Sequence, residues 1–195
     1  MKIYFIRHGE SEANIKQCFA GQTQSKLTEQ GILQAINLNK ILNQLTFDKI
    51  YCSDLIRAID TQKYALPGYS SETLPLLREI DVGKLAGHLV TDCPSIFGDS
   101  FQYNLKYNNF TPYGGECKKD LYDRVNNFLD IALSSGNENI AVFTHGGFIK
   151  ALAETVLNLD INNTLISPKN CSVTVLEYKN AAWHLEIYNY TNILE

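Results

Sequence analysis

The sequence lacks the features that mark a membrane protein, a metal centre or a disulfide-stabilised fold. No apolar run is long enough to span a bilayer. The five cysteines are scattered along the chain and no two have the spacing Cys-x-x-Cys, so neither a zinc site nor a disulfide framework is predicted. The N-terminus resembles a strand and not a signal peptide, and we therefore expect reduced thiols and a cytoplasmic protein.

A strong excess of charge is also missing. The formal net charge is −4, which gives no general attraction to nucleic acid or to an anionic membrane surface, and we expect neither as a partner. Any anionic ligand must therefore be bound by a local cluster of cations. The 195 residues, of which 45% are hydrophobic, suffice for one domain with a sizeable core.

The chain alternates short β-rich segments with amphipathic segments of helical period. Strands are predicted at 3–6, 49–53, 73–77 and 140–144, with a hairpin formed by 171–178 and 183–190. Helices are predicted to begin near residues 29, 54, 117 and 148. This order predicts an α/β fold: a three-layer α/β/α sandwich on a mostly parallel six-stranded sheet, in which the hairpin supplies an antiparallel edge strand.

Residues 88–113 interrupt this alternation. They contain three glycine or proline breaks and six aromatic side chains, which make the segment too apolar to be disordered. We interpret it as a small cap or lid inserted into a single domain that covers residues 1–195. The alternative is a peripheral excursion that packs on the core and touches no substrate.

Several chemically active side chains come just after predicted strands. Arg7 and His8 follow the first strand, Arg57 lies in the first turn after the second, Glu79 follows the third, and His145 follows the fourth. Because the carboxyl ends of parallel strands meet at one edge of the sheet, we expect these side chains to lie together, where open α/β sheets bind ligands. Considered alone, Arg57 would also fit a charge on the surface of a helix, and Glu79 would also fit an ion-pair partner of Arg78.

As a set, these side chains suit phosphoryl transfer. Catalysis of that reaction depends on positioning and on stabilising negative charge on the phosphoryl oxygens. Guanidinium groups bind such oxygens in bidentate fashion, which lysine cannot reproduce. An imidazole beside fixed positive charge stays neutral, so His8 is the candidate nucleophile. A carboxyl group, such as that of Glu79, is needed to protonate the leaving oxygen and to activate water.

Over nearly its whole length the sequence resembles the histidine phosphatase superfamily, the phosphoglycerate mutase-like group. The matching motifs, in order, are Arg7-His8-Gly9-Glu10-Ser11 with Asn14, Leu27-Thr28-Glu29-Gln30-Gly31, Ser53-Asp54-Leu55 with Arg57-Ala58 and Thr61, Leu77-Arg78-Glu79, Gly114-Gly115-Glu116, Thr144-His145-Gly146-Gly147 and Asn170-Cys171-Ser172. Lys150 differs from the arginine that many relatives carry after His-Gly-Gly.

The resemblance implies a role for each matching residue. His8 would be the phosphorylated nucleophile and Glu79 the proton donor, while Arg7, Arg57 and His145 would form the phosphate pocket. Further contacts to phosphate or substrate would come from Asn14, Gly21, Gln22, Thr23 and Gly146. Neither a metal ion nor an organic cofactor is implied.

Within the family, we expect a phosphatase and not a mutase. A mutase needs a second cationic anchor, yet the only cations between residues 79 and 113 are Lys84 and Lys106. The substrate would be a small phosphomonoester such as α-ribazole phosphate, a sugar phosphate or a nucleotide. The alternatives are a cofactor-dependent phosphoglycerate mutase and a non-catalytic phospho-ligand binder, and the protein would be a monomer or a homodimer.

Overall fold

The computed structural model describes residues 1–159 and 167–191. Its strands are β1 (Lys2–Arg7), β2 (Lys49–Cys52), β3 (Glu72–Thr73), β4 (Asn139–Thr144), β5 (Val173–Lys179) and β6 (Ala182–Tyr190). The α-helices are α1 (Glu12–Ile15), α2 (Glu29–Leu42), α3 (Ile56–Ala65), α4 (Cys93–Phe97), α5 (Ser100–Lys106), α6 (Lys118–Ser134) and α7 (Gly146–Leu157). Short 3-10 helices cover Pro75–Leu77, Gly83–Leu85 and Thr111–Tyr113.

The strands form a six-stranded sheet in the order β3-β2-β4-β1-β5-β6. The pairs β2–β3, β2–β4 and β1–β4 are parallel, whereas β5 runs antiparallel to both β1 and β6. The predicted α/β fold with a mostly parallel sheet and an edge hairpin is confirmed. Within that hairpin, β5 is antiparallel to both of its neighbours, so the edge strand β6 runs in the same direction as β1.

Two hydrophobic clusters cover the two faces of the sheet, as a three-layer sandwich requires. Because side chains alternate along a strand, β1 directs Ile3 and Phe5 to one face and Ile6 to the other. The first face packs against α6 and α7, and the second against α2 and α3. Buried on both faces, β1 and β4 consist mainly of apolar residues, as expected for central parallel strands.

The third strand is much shorter than predicted. A strand was expected over 73–77, but β3 ends at Thr73 and a 3-10 helix begins at Pro75. Proline has no N–H to donate to a neighbouring strand, and its fixed φ suits the first position of a helical turn. Glu79 therefore reaches the site from a turn and not directly from a strand.

The segment 88–113 carries α4 and α5. Its aromatic side chains pack mainly against one another, since Phe101, Phe110 and Tyr113 are buried in a third cluster with Val82 and Leu85. Phe97 packs edge-on against Tyr113 in the same cluster. Aromatic residues of the segment thus contribute to a small hydrophobic core of their own.

Among the described residues, no helix is long and apolar enough to cross a membrane.

Candidate active site

The ends of three adjacent strands bring the predicted catalytic residues together. β1 and β4 pair in parallel with Arg7 opposite Thr144, and the backbone N–H of His8 donates to the Thr144 carbonyl at 3.0 Å. On the other side of β4, the N–H of Ser53 donates to the Phe143 carbonyl at 2.9 Å. The His8 and His145 rings consequently lie with their centroids 5.2 Å apart.

His8 is held as a neutral imidazole with a fixed tautomer. Its Nδ1 lies 2.7 Å from the Gly9 carbonyl oxygen, which can only accept, so Nδ1 carries the proton. The lone pair of Nε2 then faces the Arg57 guanidinium, whose Nε is 3.3 Å away. Burial, together with the charges of Arg57 and Arg7, lowers the pKa of His8 well below its ordinary value. These are the conditions that a nucleophilic imidazole needs.

Arg57 is fully buried and is oriented by backbone carbonyl groups. Its two terminal nitrogens donate to the carbonyl oxygens of Gly21 and Thr23, both at 2.8 Å. The φ of +46° at Gly21 lies in the left-handed region that favours glycine. Burial lowers the pKa of Arg57 to about 10, which leaves the guanidinium charged at neutral pH. Gly21 and Thr23 therefore position Arg57, and their direct contact with phosphate stays a prediction.

Arg7 and His145 each present a buried nitrogen with no hydrogen-bond partner among the described residues. Arg7 donates through Nη1 to the Pro168 carbonyl, but its Nε has no partner. His145 Nε2 lies 2.8 Å from Ser53 Oγ, and its Nδ1 has no partner. Burial, followed by the charge of Arg57, lowers the pKa of His145 well below its ordinary value.

The hydrogen bond between Ser53 Oγ and His145 Nε2 fits either tautomer of His145, and one of the two leaves Nδ1–H as a donor for a ligand. Ser53 Oγ already accepts a hydrogen bond from the N–H of Leu55 at 3.3 Å, so its own O–H is available to donate to His145 Nε2. In that arrangement, Nδ1–H of His145 and Nε–H of Arg7 are both unused donors. Buried donors without partners are rare, and the oxygens of a phosphoryl group would satisfy them.

Glu79 lies at the N-terminus of α7, across a cavity from Arg7. Its carboxylate accepts hydrogen bonds from the N–H groups of Ile80 at 2.9 Å and Gly147 at 3.1 Å. A cavity of about 370 Å³ is lined by Arg7, Glu79 and Gly146, among others. At Gly147 any side chain would collide with this carboxylate, because an added Cβ would lie 2.0 Å from Glu79 Oε1.

Gly146 permits the close approach of Arg7, since a Cβ at this position would lie 3.2 Å from Arg7 Nε. Gln22 donates to the Glu79 carbonyl at 3.2 Å and accepts from Arg78 at 3.1 Å, so it links two predicted site segments. Arg78 also forms a two-bond ion pair with Asp54.

Asn14 has a local structural role. Its Oδ1 accepts from the backbone N–H of Ser11 at 3.1 Å and from the side chain of Asn170 at 3.3 Å. Asn170 also donates to the His8 carbonyl at 3.0 Å, so these residues hold the loop that follows β1. A contact between Asn14 and phosphate remains a prediction.

Sequence reasoning missed Arg124, which fixes the backbone around Glu79. From α6 it donates to the carbonyls of Leu76, Arg78 and Glu79 at 2.8, 2.7 and 3.3 Å. It also forms two hydrogen bonds to the Glu116 carboxylate, at 3.0 and 2.8 Å. The signal was the position of Arg124 beside Leu121 and Val125 on a helix whose apolar stripe is buried, where an arginine needs a partner.

Among the described residues, no group of three or more His, Cys, Asp or Glu side chains is arranged to hold a metal ion. The positive groups around the site are the guanidiniums of Arg7 and Arg57 and the ammonium group of Lys150. Arg7 and Glu79 line one cavity, and the neutral imidazole of His8 is held beside it by its contact with Arg57.

The sequence profile of the histidine phosphatase superfamily (branch 1) matches residues 3–191. The chain belongs to the histidine phosphatase superfamily. It is 29% identical over 163 residues to the adenosylcobalamin/alpha-ribazole phosphatase of Salmonella typhimurium, covering 82% of this chain and 81% of that protein. It is 30% identical over 193 residues to a 2,3-bisphosphoglycerate-dependent phosphoglycerate mutase of Xanthobacter autotrophicus, covering 92% of each.

Solved structures agree with this assignment. A mycobacterial glucosyl-3-phosphoglycerate phosphatase, crystallised with VO3, superimposes with a TM-score of 0.87 at 26% identity, covering 97% of this chain and 99% of that one. The family resemblance, the fold class and the prediction of a phosphatase-type enzyme are confirmed by these matches.

Proposed function

We propose that this protein hydrolyses the phosphomonoester of a small metabolite through a phosphohistidine formed on His8. The observation that carries the proposal is the arrangement around His8. The imidazole of His8 is neutral, its Nε2 lone pair accepts a hydrogen bond from Arg57 Nε, and the charges of Arg57 and Arg7 act on it; Arg7 Nε and His145 Nδ1 are buried nitrogens without a described partner. Such a pocket attracts a phosphoryl dianion and keeps the attacking nitrogen unprotonated.

The reaction proceeds in two steps. In the first, His8 Nε2 attacks phosphorus, the ester P–O bond breaks, and Glu79 donates its proton to the leaving oxygen. In the second, the Glu79 carboxylate takes a proton from water, the water oxygen attacks phosphorus, and the P–N bond breaks. Inorganic phosphate leaves and Glu79 is protonated again. Arg7, Arg57 and His145 stabilise the charge on the phosphoryl oxygens in both steps.

The family contains both phosphatases and mutases, and the two share the first step. Hydrolysis is favoured because the segment 80–112 supplies only Lys84 and Lys106 as cations. The mutase remains the second candidate, supported by the 30% identity to a named mutase. The relative from Salmonella makes α-ribazole phosphate a reasonable first substrate to assay, along with sugar phosphates and nucleotides.

We further propose that residues 88–113 form a cap on a single domain, and that the protein acts in the cytoplasm as a monomer or homodimer. The separate hydrophobic cluster of this segment supports the first point. The five free cysteine thiols are compatible with a reducing compartment.

The deciding experiment measures phosphate release from a panel of phosphomonoesters by wild-type protein and His8→Ala, with a chelator present. We expect release from one or a few esters, and a loss of at least about 10³-fold in His8→Ala with the fold intact. A parallel assay follows the interconversion of monophosphoglycerates, and interconversion with little release would identify a mutase. Ligand binding without turnover would identify a binder, and wild-type rates in His8→Ala would exclude the phosphohistidine.

A further inference from the structure

A second, smaller cavity lies next to the cavity that Arg7 and Glu79 line. It has a volume of about 60 Å³, and its lining includes Tyr122, Gly147, Lys150 and Glu154. Gly147 and Lys150 also line the 370 Å³ cavity that contains Arg7 and Glu79. The two cavities are therefore adjacent, with Gly147 and Lys150 between them. The backbone N–H of Gly147 donates a hydrogen bond to the Glu79 carboxylate.

Glu154 places an unsatisfied acceptor in this small cavity. The residue is 3% exposed, and its Oε2 accepts a hydrogen bond from the Tyr122 hydroxyl at 3.1 Å. Its Oε1 has no hydrogen-bond partner among the described residues; Lys150 Nζ forms a long ion pair with it at 4.0 Å, beyond hydrogen-bond distance. A buried carboxylate oxygen without a donor is costly, so this oxygen is open to a donor that the described part of the chain does not supply.

Nearby charges indicate which kind of donor fits. Burial raises the pKa of Glu154, and the positive charges of Lys150 and Lys118, which both line the cavity, oppose that shift. A cationic ligand group would add a third positive charge to one carboxylate, whereas a neutral hydroxyl satisfies Oε1 without changing the charge. Tyr188 presents a further buried hydroxyl without a described partner, and its electrostatic interactions are with Glu154 and Arg7.

The size of the cavity and its distance from Glu79 limit the ligand. A volume of about 60 Å³ corresponds to roughly two water molecules, enough for a terminal hydroxyl-bearing carbon and too small for a ring. Glu154 follows Gly147 by seven residues on α7, about 10 Å along the helix axis. Its side chain leans back toward the N-terminus, which brings the carboxylate level with Lys150. Lys150 follows Gly147 by three residues, about 4.5 Å along the axis, a separation that a substrate arm of about three to five carbons spans.

Residue Asn108 of the segment 88–113 also lines the small cavity, so this segment contributes to the same wall. We propose that the cavity is a leaving-group subsite that selects polyol phosphates, with a terminal hydroxyl of the substrate donating to Glu154 Oε1. This inference rests on the proposed phosphatase function and names the class of its substrate.

The test compares kcat/KM for pairs of esters with equal carbon number: glycerol 3-phosphate against propyl phosphate, and ribitol 5-phosphate against pentyl phosphate. In wild-type protein we expect the hydroxylated member of at least one pair to be preferred about ten-fold or more, as for a hydrogen bond to a charged acceptor. Glu154→Met removes the acceptor and should bring the ratio close to one. Glu154→Gln keeps an oxygen and should retain part of the preference.

Glu177→Gln is the matched control, since Glu177 lies on β5 and pairs with Lys179 at the surface; it should keep the wild-type ratio. Hydrolysis of nitrophenyl phosphate that depends on His8 tests the proposed function separately. Two results would overturn the subsite when that hydrolysis occurs. The first is a wild-type protein that does not prefer the hydroxylated ester in either pair. The second is a Glu154→Met variant that keeps the wild-type preference for the hydroxylated ester. If no ester is hydrolysed, the proposed function fails. The subsite is then tested by calorimetric binding of the same esters to the wild-type protein, and equal affinities for both members of each pair would overturn it as well.

Discussion

Lowering the pH below 6.5 should destabilise the folded protein through His8 and His145. Both rings are buried, at 4% and 0% exposure, and burial with the nearby guanidinium charges holds the pKa of each well below 6.5 in the folded state. The unfolded chain takes up both protons near pH 6.5, while the folded protein does not. The stability contributed by the neutral rings is therefore complete above pH 6.5 and is lost progressively as the pH falls toward the folded pKa values.

The size of the effect follows from proton linkage. Each group that is protonated only in the unfolded state lowers the free energy of unfolding by about 1.4 kcal/mol per pH unit. Two such groups give about 2.7 kcal/mol per pH unit, a large part of the 5–15 kcal/mol or so that is typical of a domain. Carboxylates with lowered pKa values, such as Asp54, contribute only at lower pH, whereas Glu154, whose pKa is raised by burial, also contributes between pH 6 and 5. The contribution of the two histidines is therefore measured against a variant that keeps both carboxylates.

Urea unfolding at pH 7.5, 6.5, 6.0, 5.5 and 5.0 measures this dependence, with the double variant His8→Asn/His145→Asn as the control. All other titrating groups are common to the two proteins. The difference between their slopes of unfolding free energy against pH is therefore due to the two histidine rings. We expect the wild-type slope to be steeper by about 2 to 3 kcal/mol per pH unit below pH 6. Equal slopes would refute the reasoning, since they would mean that the rings are protonated in the folded protein.

Four substitutions test the remaining parts of the site. Glu79→Gln should lower kcat/KM for alkyl phosphates by about 10² or more but affect nitrophenyl phosphate far less, because a good leaving group needs no proton; equal losses would assign Glu79 an electrostatic role. Arg57→Lys should lower kcat/KM about 10²-fold, because an ammonium group cannot replace the fork that binds Gly21 and Thr23; wild-type kinetics would show that one point charge suffices. Gly147→Ala should displace the Glu79 carboxylate and reproduce the leaving-group dependence of Glu79→Gln, while Gly146→Ala, whose nearest contact is 3.2 Å and not 2.0 Å, should cost less. An unchanged Gly147→Ala would show that the helix terminus does not position Glu79.

The residues at strand ends could be predicted from sequence because parallel strands must align their carboxyl ends. An apolar run followed at once by Arg7 and His8, and another followed by His145, requires these side chains to meet once the strands pair. The structure pairs β1 with β4 in the register that places the two histidine rings 5.2 Å apart. The family resemblance then supplied the expected roles, which go beyond what the pattern of strands and helices provides.

The support of Glu79 could not be predicted in the same way. Its backbone is fixed by Arg124, which lies 45 residues later in the sequence and on a different layer of the fold. The buried apolar stripe beside Arg124 indicates that this arginine needs a partner, but it does not identify the distant backbone carbonyl groups that accept its hydrogen bonds. The expected strand over 73–77 failed for a local reason, the missing N–H of Pro75, which a closer look at the proline would have shown.

The pocket contains a buried guanidinium, that of Arg57, which has no ion pair within the described part of the chain, although the charge of Glu79 acts on it. Arg57 is 0% exposed, and its described hydrogen bonds go to carbonyl oxygens and to a neutral ring, with no ion pair to a carboxylate. Such a buried cation lowers the stability of the ligand-free protein. A laboratory selection for heat resistance alone would therefore favour apolar residues at position 57 and enrich inactive variants. Screens on this scaffold need to score turnover together with melting temperature, or include phosphate so that the occupied pocket is the state under selection.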